Sequence, residues 1–595
     1  MTDIDKSAAT KKRTSGGGNW LFETLTANSF FTPERMTEEH HLIDLTTKEF
    51  VDNEVSPNNK HLEQKDWDLA RRLLRRCGDL GILGTDVSET YDGVLMDKVS
   101  SAIIASRLGQ SGSFSTTFGA QTGIAILPIA LFGTNEQKQK YLPKLVSGEC
   151  VGAYCLSESG SGSDALGAKT KATPQSDGTF LLTGEKMWIS NGGFADLYVV
   201  FAQVDGNKFS AFLVERQWEG VSTGEEEHKM GLKGSSTTPV ILQDVRVPKE
   251  NLLGEIGKGH KVAFNVLNYG RFKLAAAASG SAQLAIGESA RYASERKQFG
   301  QSISEFGAIK HKLGEMSIYA YALESLVYRT AGLLDEALQE SNDHDKGLLA
   351  ALEEHAIESS ILKVAGSEIL DFVLDQNIQI HGGNGYVEDY PAERHYRDSR
   401  VNRIFEGTNE INRLLIPGML IRKALNGDLP LVEAAKKIAS DLSNPTTVSH
   451  EPDSLLSDEA QAVRMFKKAS IAVLGLAMRT YGKNLSEEQE VLSFTADMLI
   501  DTFTAESVVG RAQQAISNQT ASASFQSNAA KAFVSDAAER IGTKARSALA
   551  AMIEGEELKT HLAALRKLLK VKPVNTVIIR RKLANESVSR SGYIF

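Results

Sequence analysis

The chain has 595 residues, 42% apolar and 24% charged, about four times the usual single-domain length, so several packed units with buried cores are expected. Its 66 basic and 75 acidic residues leave a net charge of −9, which offers no global attraction to nucleic acid, and no apolar run is expected to approach the ~18 to 20 residues of a membrane span. Three cysteines (Cys77, Cys150, Cys155) without a CxxC pair suggest neither a disulfide framework nor a thiolate metal site, and fit a reducing compartment.

Residues 1–31 carry Asp3, Asp5, Lys11, Lys12, Arg13 and three glycines at 16–18. They lack the apolar core of a signal peptide and are expected to be a flexible tail of a cytoplasmic protein. Residues 32–149 read as a helical domain: Leu69, Leu73, Leu74 and Leu80 recur at helical spacing, and a helix over 136–145 follows the Gly133-Thr134-Asn135 break. Over 150–260 the pattern turns to short β-rich runs, with hairpin cues at Asp177-Gly178 and at Asp205-Gly206-Asn207. Residues 261–425 return to long helix-compatible segments and predict a second bundle. Pro417, Pro430, Pro445 and Pro452 then punctuate a polar stretch, with 426–456 expected as a linker. Residues 457–595 form an expected C-terminal helical extension, one helix of which would open on a capping box at Ser486 and Gln489. The fold class is therefore mainly α with a central β domain. No alternation of strands and helices occurs, no GxGxxG sits between a strand and a helix, and no GxxxxGK[ST] occurs, so a nicotinamide dehydrogenase or P-loop enzyme lacks its defining loop.

Four segments could carry chemistry. The run Tyr154-Cys155-Leu156-Ser157-Glu158-Ser159-Gly160-Ser161-Gly162-Ser163-Asp164 is a strand entering a loop whose bare amides could cradle phosphate or a ring carbonyl, or simply a structural turn. Lys186-Met187-Trp188-Ile189-Ser190-Asn191-Gly192-Gly193 places an aromatic on a strand two residues from a hydroxyl on the same face, with a core tryptophan as the alternative. Gln379-Ile380-His381-Gly382-Gly383-Asn384-Gly385-Tyr386 permits close backbone approach of a ligand or marks an ordinary turn. His381 has no partner at metal-ligand spacing, and packing is its expected role. In Arg403-Ile404-Phe405-Glu406-Gly407-Thr408-Asn409-Glu410 a carboxylate stands between an aromatic and a glycine; an apolar wall there would raise its pKa toward that of a general base.

In this order, and together with Glu295-Arg296-Lys297-Gln298-Phe299-Gly300, the segments resemble the acyl-CoA dehydrogenase family over 32–425. The pattern Asn265-Val266-Leu267-Asn268-Tyr269-Gly270-Arg271-Phe272 and the size of the extension are most similar to the very-long-chain branch. Ser159 departs from the proline of most members. The resemblance implies an N-terminal helical domain, a β-barrel-like middle domain, a four-helix bundle and an added helical domain. It also implies an FAD cofactor, an acyl-CoA substrate, an electron-transfer flavoprotein as acceptor, and a homodimer or dimer of dimers. By similarity Tyr154, Leu156, Ser157, Ser163, Trp188, Ile189 and Ser190 would line the flavin, with Thr408 and Glu410 completing its site. Arg296, Phe299, Gln379, Gly382 and Gly383 would reach the cofactor of the neighbouring subunit. Ser163, Asn268, Arg271, Phe405 and Gly407 would hold substrate. Glu406 would be the catalytic base, and its backbone N–H with a ribityl hydroxyl would polarise the thioester carbonyl. Some branches carry the base just before the residue matching Arg271, but Gly270 leaves Glu406 alone.

Gly119, Ala120 and Gly123 fall where the family lines its acyl cavity; small residues there mean either a deep tunnel or helix close-packing. Residues 559–582 hold eight basic and no acidic side chains, and Leu558, Leu562, Leu565 and Leu569 make an apolar stripe. That segment is either a peripheral membrane contact at the inner face over 558–582 or a helix packed on its own domain. Three functions follow: long-chain acyl-CoA dehydrogenation in fatty-acid β-oxidation, dehydrogenation of a branched or aromatic-ring acyl-CoA, and a non-enzymatic flavoprotein or assembly factor.

Overall fold

A computed structural model describes residues 16–24, 30–443 and 456–595. The N-terminal unit is helical: α1 (Glu38–Phe50), α2 (Asn59–Glu63), α3 (Trp67–Asp79), α4 (Lys98–Leu108), α5 (Gly112–Gly119), α6 (Leu127–Phe132) and α7 (Asn135–Val146). A wide-turn π segment, Ala120–Ile126, joins α5 to α6. Helix α3 buries Leu69, Ala70, Leu73, Leu74 and Cys77 along one stripe, as its spacing predicts. Helix α7 begins at a reciprocal cap in which the Thr134 hydroxyl accepts from Gln137 N–H and the Gln137 side chain accepts from Thr134 N–H.

The middle unit is an eight-stranded mixed sheet in the order β6-β7-β3-β2-β4-β5-β8, with β1 parallel to β4. Its strands are β1 (Gly152–Cys155), β2 (Lys171–Pro174), β3 (Phe180–Ser190), β4 (Leu197–Val204), β5 (Lys208–Glu215), β6 (Val221–Thr223), β7 (Thr237–Val247) and β8 (Leu252–Leu253). The β4–β5 hairpin closes through Asp205 and Gly206 at φ 51° and 81°, the doubly left-handed turn that matches strand twist. The β3–β7 ladder slips between Lys186 and Ile189, and Trp188, inside that bulge, has φ 59° and is 59% exposed.

The second bundle comprises α8 (Gly259–Glu295), α9 (Gly307–Gln339), α10 (His344–Glu354), α11 (Ala356–His381), α12 (Ala392–Ser399) and α13 (Asn409–Leu425). Helices α8 and α11 lie close, with Gly366 against Ala275. The extension holds α14 (Leu431–Ser443), α15 (Ser457–Tyr481), α16 (Gln489–Ser517), α17 (Ala523–Met552), α18 (Gly555–Leu568) and α19 (Thr576–Arg590). It packs on α9 through a buried charge network in which Arg511 meets Glu324 and Glu34, each at 2.8 Å, and Arg329 meets Glu506 at 3.0 Å.

Four sequence expectations need correction. Residues 16–24 do not trail as a tail: Trp20 and Leu21 are buried, and the N–H groups of Gly17 and Gly18 donate to Glu354 and Glu358, each at 2.7 Å. The glycines permit contact rather than slackness, since a Cβ on Gly17 would sit 1.9 Å from the Glu354 carbonyl oxygen. Within 426–443, Leu429, Leu431 and Ile438 are buried and 431–443 is helix α14, so Pro430 precedes a packed element; the rest of the expected linker, 444–455, lies outside the described residues. The expected cap at Ser486 is absent: Ser486 lies in a 3₁₀ turn, Gly482–Glu487, and Glu488 occupies the N-cap of α16. Finally, the continuous helical run Gly112–Phe132 spans 21 residues and holds an 18-residue window of mean hydropathy 1.3, long and apolar enough to cross a membrane by length and composition, although 72% of that window is buried inside the fold.

Candidate active site

Between the 3₁₀ turn Arg400–Arg403 and α13 the chain makes two consecutive left-handed steps, Glu406 at φ 58° and Gly407 at φ 77°. A non-glycine residue held in that region stores roughly 1 to 3 kcal/mol of strain and needs its surroundings to fix it. Three groups do so. Asn412 Nδ2 donates to the carbonyls of Gly407 at 2.9 Å and Thr408 at 3.0 Å, Arg271 Nε donates to the Glu406 carbonyl at 3.1 Å, and the Thr408 hydroxyl caps α13 by accepting from Ile411 N–H.

The turn projects the Glu406 side chain toward α8 at Gly270. A Cβ there would lie 2.6 Å from Glu406 Oε2, so the absence of a side chain at 270 is what admits the carboxylate. Oε2 is buried and has no hydrogen-bond partner. Burial pushes the Glu406 pKa up to about 7, against the opposing pull of Arg271 and Lys363. Burial likewise pulls Lys363 down to about 7, with Glu406 opposing; its Nζ donates to Asn409 Oδ1 at 2.7 Å. Among the described residues no acceptor takes the Glu406 N–H.

Glu406 faces a cavity of about 170 Å³ whose walls include Phe405, Ser190, Gly119, Ala120, Gly123 and Gly270. A Cβ added at Gly119 or Gly123 would meet nothing within 4 Å. These glycines open the cavity rather than letting helices touch, which separates the two readings the sequence left level.

On the β side, Trp188 stands out of its strand and Ser190 lines the cavity, so the core-tryptophan alternative falls. Ile189 is buried and packs inward, whereas Tyr154 is buried against Phe201 with its hydroxyl unpartnered. The loop after β1 is fixed by a residue the sequence did not flag: buried Glu158 pairs with buried Lys186 at 2.7 Å and accepts from the N–H groups of Lys169 and Thr170. Beyond it Gly160 and Gly162 face open space and Ser163 is exposed, while Leu156 is buried and Ser157 half-buried.

Asn268 and Arg271, expected to hold substrate, are buried: Arg271 is turned onto the Glu406 loop and donates to Asn268 Oδ1 at 2.9 Å, while Asn268 Nδ2 donates to the Leu352 carbonyl at 3.3 Å. Glu410 is exposed on the first turn of α13. Arg296, Phe299, Gln379, Gly382 and Gly383 form a separate exposed group at the C-terminal ends of α8 and α11, outside the Glu406 cavity. Phe299 is 94% exposed, and a side chain at Gly382 or Gly383 would meet nothing within 4 Å. His381 packs, stacked 4.2 Å from Tyr292 and bonded through Nδ1 to the Asn377 carbonyl.

Residues 37–149 match the acyl-CoA dehydrogenase N-terminal domain, 153–245 the middle domain, and 257–419 and 465–567 two descriptions of the C-terminal domain. The chain belongs to the acyl-CoA dehydrogenase family. It is 47% identical over 575 residues to a probable acyl-CoA dehydrogenase of Bacillus subtilis (strain 168), covering 96% of each chain. It is 36% identical over 492 residues to the human mitochondrial very long-chain specific acyl-CoA dehydrogenase, covering 78% of this chain and 73% of that one. Among solved structures, the acyl-CoA dehydrogenase complexed with FAD from Bacillus anthracis superposes with a TM-score of 0.95 at 46% identity, covering 98% and 100% of the two chains. The butyryl-CoA dehydrogenase of Megasphaera elsdenii gives 0.60 at 35% identity, covering 65% and 99%. This acyl-CoA dehydrogenase is thus a flavin-dependent oxidoreductase whose cofactor is FAD. Its residues fit that group: an aromatic held out of the sheet at Trp188, a hydroxyl at Ser190, an unpartnered buried hydroxyl at Tyr154, and an open glycine loop.

Proposed function

We propose that this acyl-CoA dehydrogenase desaturates long-chain acyl-CoA at the α,β position in fatty-acid β-oxidation, with Glu406 as the base and trans-2-enoyl-CoA as product. The observation that carries the reading is the Glu406 carboxylate, buried, lacking a partner on Oε2 and facing a cavity beside Gly270. An α-hydrogen next to a thioester is too weakly acidic for an unaided carboxylate, so the carbonyl must be polarised as enolate character develops; the unengaged Glu406 N–H is the donor this chain offers. Glu406 then takes the α-proton on Oε2. Bound FAD supplies the acceptor for the β-hydrogen, which leaves as hydride. The enclosing wall keeps water from the carboxylate and holds its pKa near the working range of a general base.

Tyr154, Leu156, Ser157, Ser163, Trp188, Ser190 and the backbone of Ile189 would hold the flavin, with Thr408 and Glu410 completing its site. The exposed group Arg296, Phe299, Gln379, Gly382 and Gly383, being outside its own chain's cavity, suits the cofactor of a neighbouring subunit and supports a homodimer or a dimer of dimers. Long chains are supported by the open space at Gly119 and Gly123 and by the very long-chain specific relatives. Electron-transfer flavoprotein as acceptor is supported by the 34% identity, at a TM-score of 0.59, to a chain in a structure titled for the electron transferring flavoprotein of Acidaminococcus fermentans. We place the enzyme in the cytoplasm.

The test is to purify the full chain, record its visible spectrum and titrate it with saturated acyl-CoAs of increasing length. A yellow protein carrying one non-covalent FAD per chain, bleached most completely by long chains, is the expected result. A folded protein that is colourless and takes up no FAD, or one whose flavin no acyl-CoA bleaches, overturns it.

A further inference from the structure

Two buried cations, Arg271 and Lys363, act on the Glu406 carboxylate, yet its Oε2 has no hydrogen-bond partner and, among the described residues, neither cation makes an ion pair with it. Arg271 is committed to the Glu406 carbonyl and to Asn268 Oδ1. Lys363 is less constrained. A buried ammonium on a flexible stem is drawn to the nearest carboxylate, and the carboxylate that acts on it most strongly is that of Glu406. Its Nζ bonds instead to Asn409 Oδ1, at 2.7 Å.

What sits at its two ends fixes the Asn409 amide. An ammonium only donates and a carboxylate only accepts, so Lys363 takes the amide oxygen while Nδ2 donates to Glu368 Oε1 at 2.9 Å. Glu368 is gripped by both terminal nitrogens of the Arg413 guanidinium, at 2.7 and 2.9 Å, a bidentate pair that fixes geometry as well as charge. Arg413 Nε donates to Asp497 Oδ1 on α16 at 2.7 Å, and Lys544 of α17 meets Asp497 Oδ2 at 2.7 Å. A continuous line of hydrogen bonds thus runs from the C-terminal extension to the ammonium beside the base.

We propose that Asn409 is a positioning residue for the base: it withholds Lys363 from the Glu406 carboxylate, and Glu368, Arg413 and Asp497 hold it there, so that the extension keeps the catalytic oxygen open. This rests on reading Glu406 as the base. An ammonium held nearby steadies the ionised carboxylate, whereas one bonded to it occupies the lone pair that the α-proton needs. The other groups facing the pair are Arg271 of α8, Glu410 of α13 and the Tyr154 phenol of β1. Of the two cations, Lys363 is the one with a single hydrogen bond to lose. Burial pulls its pKa down to about 7, so it carries its charge throughout the acid limb below that value.

The experiment titrates the Glu406 carboxyl band of the holoenzyme by infrared difference spectroscopy, with Glu406→Gln as blank, and records the pH profile of flavin reduction by hexadecanoyl-CoA in stopped flow. Wild type is compared with Asn409→Leu, Arg413→Met, Lys363→Met and the pairings of each of the first two with Lys363→Met. A closer cation favours the ionised carboxylate, so Asn409→Leu is expected to lower the titration midpoint and the acid limb by about one pH unit, with a plateau about tenfold lower. Arg413→Met should move both the same way by less. With Lys363→Met added, either shift should vanish, because the residues act as one unit. A midpoint that stays put or rises in Asn409→Leu overturns the proposal, and so does a downward shift that survives Lys363→Met. The Glu368 side chain is 41% exposed and Asp497 keeps Lys544, so Arg413→Met strands no buried charge; if Asn409→Leu does not fold, Arg413→Met decides by the same two criteria. If hexadecanoyl-CoA leaves the flavin unbleached, the dehydrogenase reading fails, and the infrared titration still tests the strut.

Discussion

At the scale of single residues, the site turns on what is missing at position 270 as much as on what is present at 406. Glu406→Gln keeps the shape of the side chain and removes its ability to accept a proton. The variant should bind FAD and acyl-CoA but reduce its flavin at least a thousandfold more slowly in stopped-flow mixing; near-normal bleaching would move the base elsewhere. The charge state of Glu406 also sets a pH dependence. With a pKa raised to about 7 by burial, the active carboxylate is the minor form in acid, so flavin reduction by the free enzyme should rise about tenfold per pH unit up to that value and then level. Lys363 is one of the two cations that hold this pKa down. Lys363→Met should therefore shift the acid limb to higher pH, and a limb that stays put or moves down would show that the two groups are not coupled. Neither Lys363 nor Asn412 was legible in the sequence. Lys363 stands in the run Ile361-Leu362-Lys363-Val364-Ala365, where a lone lysine in a buried helix gives no hint of a carboxylate forty-three positions later. Glu406 was legible because its own neighbours, an aromatic and a glycine, mark an unusual place for a charge.

At the scale of elements, local chemistry was readable where a turn or cap is complete within a few residues. The Asp205-Gly206 turn and the Thr134–Gln137 cap are of that kind. Elements whose order comes from distant partners were not. The segment 16–24 looks slack because it is rich in glycine and begins a polar stretch, yet its Trp20 ring packs 4.8 Å from Phe503 and Lys467 donates to the carbonyls of Trp20 and Glu23. Those partners lie more than 440 positions away. Trp20→Ala should cost about 3 to 5 kcal/mol, read as a lower denaturation midpoint of the extension; an unchanged midpoint would return these residues to the status of a tail. The exposed Trp188 follows the same logic, since the bulge that turns it outward arises from its slip against β7.

At the scale of the whole molecule, the C-terminal extension is part of the fold. Leu565 and Leu568 of α18 are buried, and Leu558, Leu562 and Leu569 pack against the core of the extension, so the apolar stripe that could have entered a membrane is already covered. The basic set is partly committed as well: Arg580 is buried against Asp536 at 2.6 Å, and Lys572 meets Asp458 at 3.0 Å. What remains is a solvated basic face, whose attraction to anionic lipid is worth about 1 kcal/mol per cation and is screened within about 10 Å at ~0.1 M salt. Truncation after Gly427 separates the readings. It strips Ile318, Tyr321 and Ala322 of α9 of their cover and leaves Glu324 and Arg329 without Arg511 and Glu506, each broken buried pair costing about 3 to 5 kcal/mol. The truncated chain should therefore lose cooperative melting or change oligomeric state, while the full chain stays in the supernatant with anionic vesicles at ~0.15 M salt. A truncated chain that melts like the full one, together with salt-sensitive sedimentation of the full chain, would instead make the extension a membrane-binding appendage.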